Sequence, residues 1–543
     1  MRVLTVATRP IAGQEPGTSG LRKTTRAFMQ PGYLENFVQS VFDTIGGLDG
    51  KTLVLGGDGR YFTPAAARTI LFMAAANGAG RVVVGREGLL STPAASCLIR
   101  RRGAAGGLLL TASHNPGGPD ADFGIKVNMA NGGPAPVDLT AQIYERTKTI
   151  DAYRILDGAD IAFGQPGTGM LGGMIVEVVD PVENYRDLMA GLFDFEAIRS
   201  LFEGGFRMRF DALNAVTGPY ARRLFEEELG ASRGTVVNAT PLADFGGLHP
   251  DPNPLTCRDL VTHMMSSQAP DLAAATDGDG DRAMILGRGV RVSPGDSLAV
   301  LAARADLVPG YRGGLAGVAR SMPTSRAVDR VAASLGIDCH ETPTGWKFFG
   351  TLLDAGKVTL CGEESAGTGS SHMREKDGLW AVLFWLNIIA RRRLSVAGIL
   401  EDHWRRFGRH YHSRHDWEGL PPGVAGDLVE SLRSRLPRLP GSIVAGLTVT
   451  AADEFHYTDP IDGTTARNQG LRIAFEGGMR VVLRLSGTST GGAILRVYLE
   501  RYEADESCLH LDCDEALTPL AAAADAIAGI RARTGRRQPD VRT

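Results

Sequence analysis

Hydrophobic positions along the first 390 residues alternate between two textures. Short unbroken runs rich in Val and Leu, such as Thr52–Leu55 and Arg81–Gly85, give way to stretches where apolar residues return every three or four positions, such as Pro64–Asn77 and Thr92–Arg102. The first texture predicts strands buried on both faces; the second predicts helices. Pro64 stands where a first helical turn tolerates a missing N–H. The alternation as a whole predicts an α/β architecture with mixed sheets.

One pattern recurs three times. Leu108–Leu110 runs into Thr111-Ala-Ser-His-Asn-Pro, Leu272–Ala275 into Thr276-Asp-Gly-Asp-Gly-Asp-Arg, and Val358–Leu360 into Cys361-Gly-Glu-Glu-Ser. Ligands of open α/β sheets bind beyond the carboxyl ends of strands, so three such loops predict three α/β units around one cleft. Past residue 395 the texture changes. Gly419–Gly426 and Pro437–Ser442 read as linkers, and the short runs Leu447–Thr450, Leu471–Phe475, Arg480–Leu485 and Ala493–Leu499 read as strands with Gly turns, closed by a helix near Ala516–Arg533. The expected division is 1–180, 181–303 and 304–392 for the α/β units and 393–543 for an α+β domain.

Composition narrows the function. With 58 Lys+Arg against 61 Asp+Glu, the formal charge of −3 offers no electrostatic case for nucleic acid or an anionic membrane. The longest apolar run, Leu379–Ala390, is too short for a bilayer. The N-terminus carries no apolar stretch of signal-peptide length, and six scattered cysteines without a CxxC pair read as free thiols. A cytoplasmic location is expected. Glycine, at 69 residues, is in excess and implies many tight loops.

The loops supply the chemistry. Ser113 lies in a tight turn beside His114, shaped by Pro116, Gly117 and Gly118, a candidate nucleophile that a base or neighbouring charge must activate. Asp277, Asp279 and Asp281 alternate with Gly and would wrap one hard cation; an EF-hand is excluded because Arg282 and Arg288 stand at its sixth and twelfth positions. A phosphate oxygen would complete the coordination, which suits Mg²⁺. Glu363 and Ser365 pair a carboxylate with a hydroxyl, matching vicinal sugar hydroxyls. Arg484-Leu-Ser486-Gly487-Thr488-Ser489-Thr490-Gly491-Gly492, followed by Arg496, has the guanidinium forks, hydroxyls and backbone N–H groups a phosphate dianion needs. Gly167-Thr-Gly169-Met-Leu-Gly172 fits a dinucleotide fingerprint in letters only, because it precedes a strand, and Gly50-Lys51-Thr52 lacks the first Gly of a nucleotide loop. Together these parts suit phosphoryl transfer on a phosphosugar without a nucleotide.

In these motifs the chain resembles the phosphoglucomutases of the α-D-phosphohexomutase superfamily, nearly end to end. The resemblance also covers Pro16-Gly-Thr-Ser-Gly-Leu-Arg22-Lys23, Asp122-Phe-Gly-Ile-Lys126, Gly132-Gly-Pro-Ala-Pro136, Arg320-Ser-Met-Pro-Thr-Ser325, Glu341-Thr-Pro-Thr344-Gly-Trp-Lys347-Phe-Phe-Gly350, Arg374-Glu-Lys376-Asp-Gly-Leu-Trp380 and Arg533-Thr-Gly-Arg536. Length and the GWKFFG and GEES forms look like the glucose-preferring branch. The resemblance implies four domains around one cleft, interconversion of glucose 1-phosphate and glucose 6-phosphate, Ser113 as phosphoserine, and glucose 1,6-bisphosphate as intermediate and activator. It implies Mg²⁺ on Asp277, Asp279, Asp281 and a phosphate oxygen on Ser113, with Arg22, His114 and Arg282 around the transferring phosphate and Lys126 as general base. Thr18, Ser19, Thr344, Gly345, Glu363 and Ser365 would meet the substrate. Arg484, Ser486, Gly487, Thr488 and Arg496 would grip its other phosphate, with Arg374 and Lys376 nearby. A phosphosugar is the expected partner, and the chain is expected as a monomer or weak homodimer. Broad specificity for mannose or glucosamine phosphates, or a Mg²⁺-dependent sugar phosphatase, are the alternatives.

Overall fold

A computed structural model of the chain describes residues 1–158, 161–488 and 492–543, with the side chains of Gly487 and Thr488 left aside. Four sheets organise it. The first has seven strands in the order Leu21–Thr24, Asp122–Met129, Gly106–Leu110, Thr52–Gly57, Arg81–Leu89, Met174–Val179, Gly167–Leu171. Its middle is parallel and its margins antiparallel. The second runs Val236–Val237, Met208–Asp211, Leu272–Thr276, Ala283–Gly287, Val290–Arg291, and the third Asp338–Thr342, Gly317–Ser321, Leu360–Gly362, Thr368–Ser370. The fourth is wholly antiparallel and centres on Arg480–Thr488, Gly492–Glu503 and Arg409–Leu420.

The three α/β sheets repeat one device. In each, a fully buried strand pairs in parallel with one neighbour and antiparallel with the next, and a polar loop makes the antiparallel connection. Gly106–Leu110 returns as Asp122–Met129, Leu272–Thr276 as Ala283–Gly287, and Leu360–Gly362 as Thr368–Ser370. The Ser113, Asp277 and Glu363 loops are therefore the same hairpin connection in three sheets. Two-sided burial explains why these strands lack polar alternation.

Helices begin and end where local chemistry directs. Ser91 caps Thr92–Arg102 by accepting the Ala94 N–H, Pro93 occupies its first turn, and Gly103 ends it at φ 56°. Asp377 caps Gly378–Arg392, whose residues from Gly378 to Ala390 are all buried. That helix is the apolar run seen in the sequence. It is buried at the heart of the core shared by the three α/β domains. No helix among the described residues is long and apolar enough to cross a membrane.

Several expectations shift. Pro294–Ala303 packs on Ala327–Leu335 and Leu360–Gly362, and Val396–Phe407 buries Val396, Ile399, Leu400 and Trp404 in the three-domain core. Pro294–Ala303 thus sides with the third sheet, and Val396–Phe407 with the shared α/β core, although a division at 303 and 392 assigned them to the second and fourth units; the fourth sheet starts at Arg409. Gly419–Gly426, read as a linker, finishes one strand and opens helix Pro422–Arg433, where Pro422 again suits the first turn. Pro437–Ser442 includes part of a short 3₁₀ turn, Leu436–Arg438. The closing helix is two, Cys513–Ala528 and Ile530–Thr534, broken by Gly529 at φ 65°. Gly167–Leu171 is itself an edge strand rather than the loop before one.

Candidate active site

Ser113 is the third residue past its strand and sits almost wholly buried at φ 56°, a left-handed conformation unusual for a residue with a side chain. A chain of buried hydrogen bonds holds it there. Its N–H donates to Thr111 Oγ1 at 2.7 Å, and its carbonyl accepts from Arg60 Nη2 at 3.0 Å. Arg60 is in turn locked by Asp58, a pair with side-chain exposures of 1% and 0%, and Asp58 also accepts from Thr111 Oγ1. The Ser113 hydroxyl donates to Asp277 Oδ2 at 2.9 Å. A Cβ on Gly278 would lie 2.4 Å from the Ser113 carbonyl oxygen, so only glycine lets the two loops come this close.

Asp277, Asp279 and Asp281 are buried, and their ligand oxygens lie within 4.8 Å of one another. Asp277 Oδ1 accepts the backbone N–H groups of Asp281 and Arg282, while Asp279 Oδ2 accepts from Thr92 Oγ1 and Lys126 Nζ. Asp279 Oδ1 and Asp281 Oδ1 are buried with no hydrogen-bond partner. Burial pushes the Asp277 carboxyl well up, and the neighbouring Asp281 and Asp279 charges push it further. Two orphaned oxygens and three mutually repelling acids are what a hard cation would satisfy.

Cations ring this end. Lys126 Nζ lies 2.5 Å from Asp279 Oδ2 and 3.0 Å from Asp281 Oδ2. Burial works against its charge, but the two carboxylates outweigh burial and hold the ammonium well above its ordinary range. The expected general base is therefore fully protonated here, because both of its acid partners are ionised. Burial, then Arg282 and Arg22, keep His114 well below its ordinary pKa, so the imidazole is neutral, with Nδ1 unpartnered. Burial and the charge of Arg282 press likewise on Arg22. Two guanidiniums held close together beside Ser113 form an anion site.

The third loop closes the wall. Glu363 Oε1 accepts the Gly345 N–H at 2.9 Å, and its Oε2 lies 3.7 Å from Lys376 Nζ, which is 3.6 Å from Asp281. Thr344 Oγ1 is buried without a partner. Thr18 and Ser19 line a recess with Lys126, Asp281 and Lys376, and Thr18 packs against Gly345. Arg374 does not join them. Its guanidinium is spent on Asp354 and the carbonyls of Ser371 and Met373.

One continuous cavity links the two ends. It is lined by His114 and Arg282, by Asp251 and Asn253 of the second domain, by Glu364 and Ser365, and by His412, Arg414 and Arg496 of the fourth. Arg484 and Arg496 stand directly opposite on adjacent strands, and Asp416 faces Arg496 from the third strand. Ser486 is half-buried on the same strand as Arg484. Hydroxyl assignments at Thr488, Ser489 and Thr490 lie outside the described side chains. Arg414, His412 and Asp416 were missed in the sequence. Their signal was present: His410, His412, Arg414 and Asp416 recur at a period of two, as on one face of a strand.

Comparison with known proteins bears on all four domains. The chain matches the models of phosphoglucomutase/phosphomannomutase α/β/α domain I over residues 13–154, domain II over 183–289 and domain III over 294–407, and that of the phosphoglucomutase-1 C-terminal domain over 409–540. It is 56% identical over 541 residues to a phosphoglucomutase of Rhizobium radiobacter, covering 100% of both chains. It is 47% identical over 562 residues to phosphoglucomutase-1 of Homo sapiens, again covering 100% of both. Among solved structures, the open form of pp63/parafusin, a phosphoglucomutase from Paramecium, superposes with a TM-score of 0.92 at 44% identity, covering 100% of this chain and 99% of that one.

Proposed function

The chain belongs to the phosphoglucomutase/phosphomannomutase family and is an enzyme that interconverts glucose 1-phosphate and glucose 6-phosphate, and we propose that it does so with Ser113 as the phosphoryl carrier. The observation that carries this reading is the cavity that runs from His114 and Arg282, next to the Ser113 loop, to Arg414 and Arg496. A hexose with a phosphate at either C1 or C6 then meets the reacting Ser113 with one end and the arginines with the other.

In the forward half, the bond between phosphorus and Ser113 Oγ breaks as one forms to O6 of glucose 1-phosphate, and the O6 proton leaves. The bisphosphate reorients inside the cleft. Its C1 phosphoryl group then returns to Ser113 Oγ, O1 takes up a proton, and glucose 6-phosphate is released. Arg22 and Arg282 flank the transferring group with positive charge. Lys126 rests as an ammonium against Asp279 and Asp281; with those carboxylates engaged by a cation it would give up that proton, and as a neutral amine we assign it the proton of O6. Neutral His114 adds a hydrogen-bonding nitrogen without further charge. Ser365 lines that cavity, and we assign the sugar contacts to it and to Glu363, which lies two residues before it and is pinned by the Gly345 N–H. Such contacts must serve two opposite sugar orientations, so they are few. Burial of the Ser113 loop keeps water from competing with the sugar hydroxyl.

We infer that Asp277, Asp279 and Asp281, with a phosphate oxygen on Ser113, hold Mg²⁺. When bound, the ion supplies charge neutralisation at the transferring oxygens. Glucose 1,6-bisphosphate is the expected activator of any unphosphorylated Ser113.

A coupled assay tests this. Glucose 1-phosphate with Mg²⁺ and a trace of glucose 1,6-bisphosphate is expected to yield glucose 6-phosphate, with the rate lost on chelation. Ser113→Ala is expected to lower kcat by on the order of 10⁴-fold or more. Free phosphate in place of glucose 6-phosphate would replace this reading with that of a phosphatase.

A further inference from the structure

The arginine end carries an acid that the reaction scheme leaves unused. Glu364 lies between Glu363 and Ser365, the two expected sugar readers, yet it faces away from them toward the fourth domain. Its Oε1 accepts from Tyr498 Oη at 3.2 Å and its Oε2 from Ser321 Oγ at 3.3 Å. Both bonds are long and both donors neutral. Glu364 lines the same cavity as Arg414 and Arg496. Tyr498, its partner, stands directly opposite Arg414 and two residues from Arg496 on one strand.

The cluster it faces is electrostatically unfinished. Arg484 lies opposite Arg496, a like-charge cross-strand pair that opposes the sheet. Asp416 answers only part of that charge: its Oδ2 is 3.7 Å from Arg496 Nε, and its Oδ1 is 3.1 Å from Arg414 Nε. The Nε atoms of Arg496 and Arg414 are both buried without a geometrically sound hydrogen bond. Among the described residues, no guanidinium comes within ion-pair distance of Glu364. Even so, Arg414, Arg484 and Arg496 are the charges that hold its carboxyl below the ordinary range against burial. The acid is thus close enough to feel three cations and bonded directly to none.

We propose that Glu364 is the internal counter-ion of the arginine cluster, which trades it for the non-reacting phosphate of the substrate. The proposal rests on the reading that these arginines hold that phosphate. The empty cluster is neutralised in part by Glu364 and Asp416. A phosphate dianion arriving at the guanidiniums supplies the charge-assisted forks the two acids do not make. Because Glu364 shares its loop with Glu363 and Ser365, phosphate arrival in the fourth domain is communicated to the sugar contacts in the third. The exchange also sets affinity: a resident acid repels the incoming dianion, which keeps product release fast.

The test is calorimetric titration of the full chain with inorganic phosphate, together with three variants. Glu364→Gln keeps shape and hydrogen bonding but removes the charge, and is expected to bind phosphate on the order of five-fold more tightly. Glu364→Asp keeps the charge and is expected to match the parent chain. Arg496→Gln is expected to lose the fourth-domain phosphate site, leaving only binding at Arg22 and Arg282. Unchanged or weaker binding in Glu364→Gln, with the fourth-domain site lost in Arg496→Gln, overturns the counter-ion role and leaves the arginine site standing. Unchanged binding in Arg496→Gln overturns both. Should Glu364→Gln fail to fold, as thermal melting will tell, Glu364→Ala removes the same charge and must show the same gain.

Discussion

The two ends of the cleft are built to different standards. At the Ser113 end only Asp279 Oδ1 and Asp281 Oδ1 of the three acids' oxygens lack a partner, the central ion pair Asp58–Arg60 is fully buried, and two loops interlock so closely that Gly278 has no room for a methyl. At the arginine end the guanidiniums are half-buried, one of them opposes another, and Asp416 sits 3.1 and 3.7 Å from two of them without good geometry. The difference follows the division of labour. The reacting phosphoryl group always meets the same atoms, so preorganisation there lowers the barrier. The other phosphate arrives on either end of the sugar, so the site that takes it must adapt.

The comparison breaks most easily at Asp58. Asp58→Ala leaves Arg60 buried and unpaired and is expected to lower stability by about 3–5 kcal/mol, read by chemical or thermal unfolding, and to release the Ser113 loop. An unfolding curve like that of the parent would mean that the Ser113 end is not held as described. Asp279→Asn is expected to lower kcat by roughly 100-fold or more and to raise the Mg²⁺ concentration needed for half activity, with little change in KM. Arg496→Gln is expected to do the opposite. It raises KM about 10–100-fold, the loss of one charge-assisted contact, and leaves kcat less affected. If both variants moved the same kinetic constant, the two ends would not be separable.

The smallest effect lies at the connection between the halves. His403 is buried in Val396–Phe407, the helix that leads into the fourth sheet, and burial, then the charge of Arg304, lower its pKa to about 3. The folded chain therefore binds fewer protons than the unfolded chain between pH 6.5 and about 3, so stability falls as the pH falls through that window. At pH 5 the contribution is roughly 2 kcal/mol. His403→Gln is expected to flatten the melting temperature against pH there, without altering activity at pH 7. An unflattened profile would assign the acid sensitivity elsewhere, His415 being the next candidate at a pKa of about 4.

The chemistry at Ser113, Asp277–Asp281 and Glu363 was legible because it is local. Each loop holds its reactive groups within a few residues, and each follows a strand buried on both faces, which shows as an unbroken apolar run. The same logic made helices Thr63–Ala76 and Thr92–Arg102 readable to within a residue or so. Arg374 misled for the converse reason. A motif names a neighbourhood, but the direction of one long side chain depends on Asp354, twenty residues away.

The order of strands and loops, the repeated strand-to-loop device and the identity of the reacting side chains are properties of the chain itself, set by short-range periodicity and turn chemistry. What only the tertiary structure decided is how charges from distant segments meet. Asp279 and Asp281 hold the Lys126 ammonium because they lie against it; burial, then Arg282 and Arg22, hold the His114 imidazole well below its ordinary pKa. Arg414 and Asp416 join the cleft only because an antiparallel register sets them opposite Tyr498 and Arg496. Electrostatic interaction depends on distance and dielectric, and neither is a function of separation along the chain.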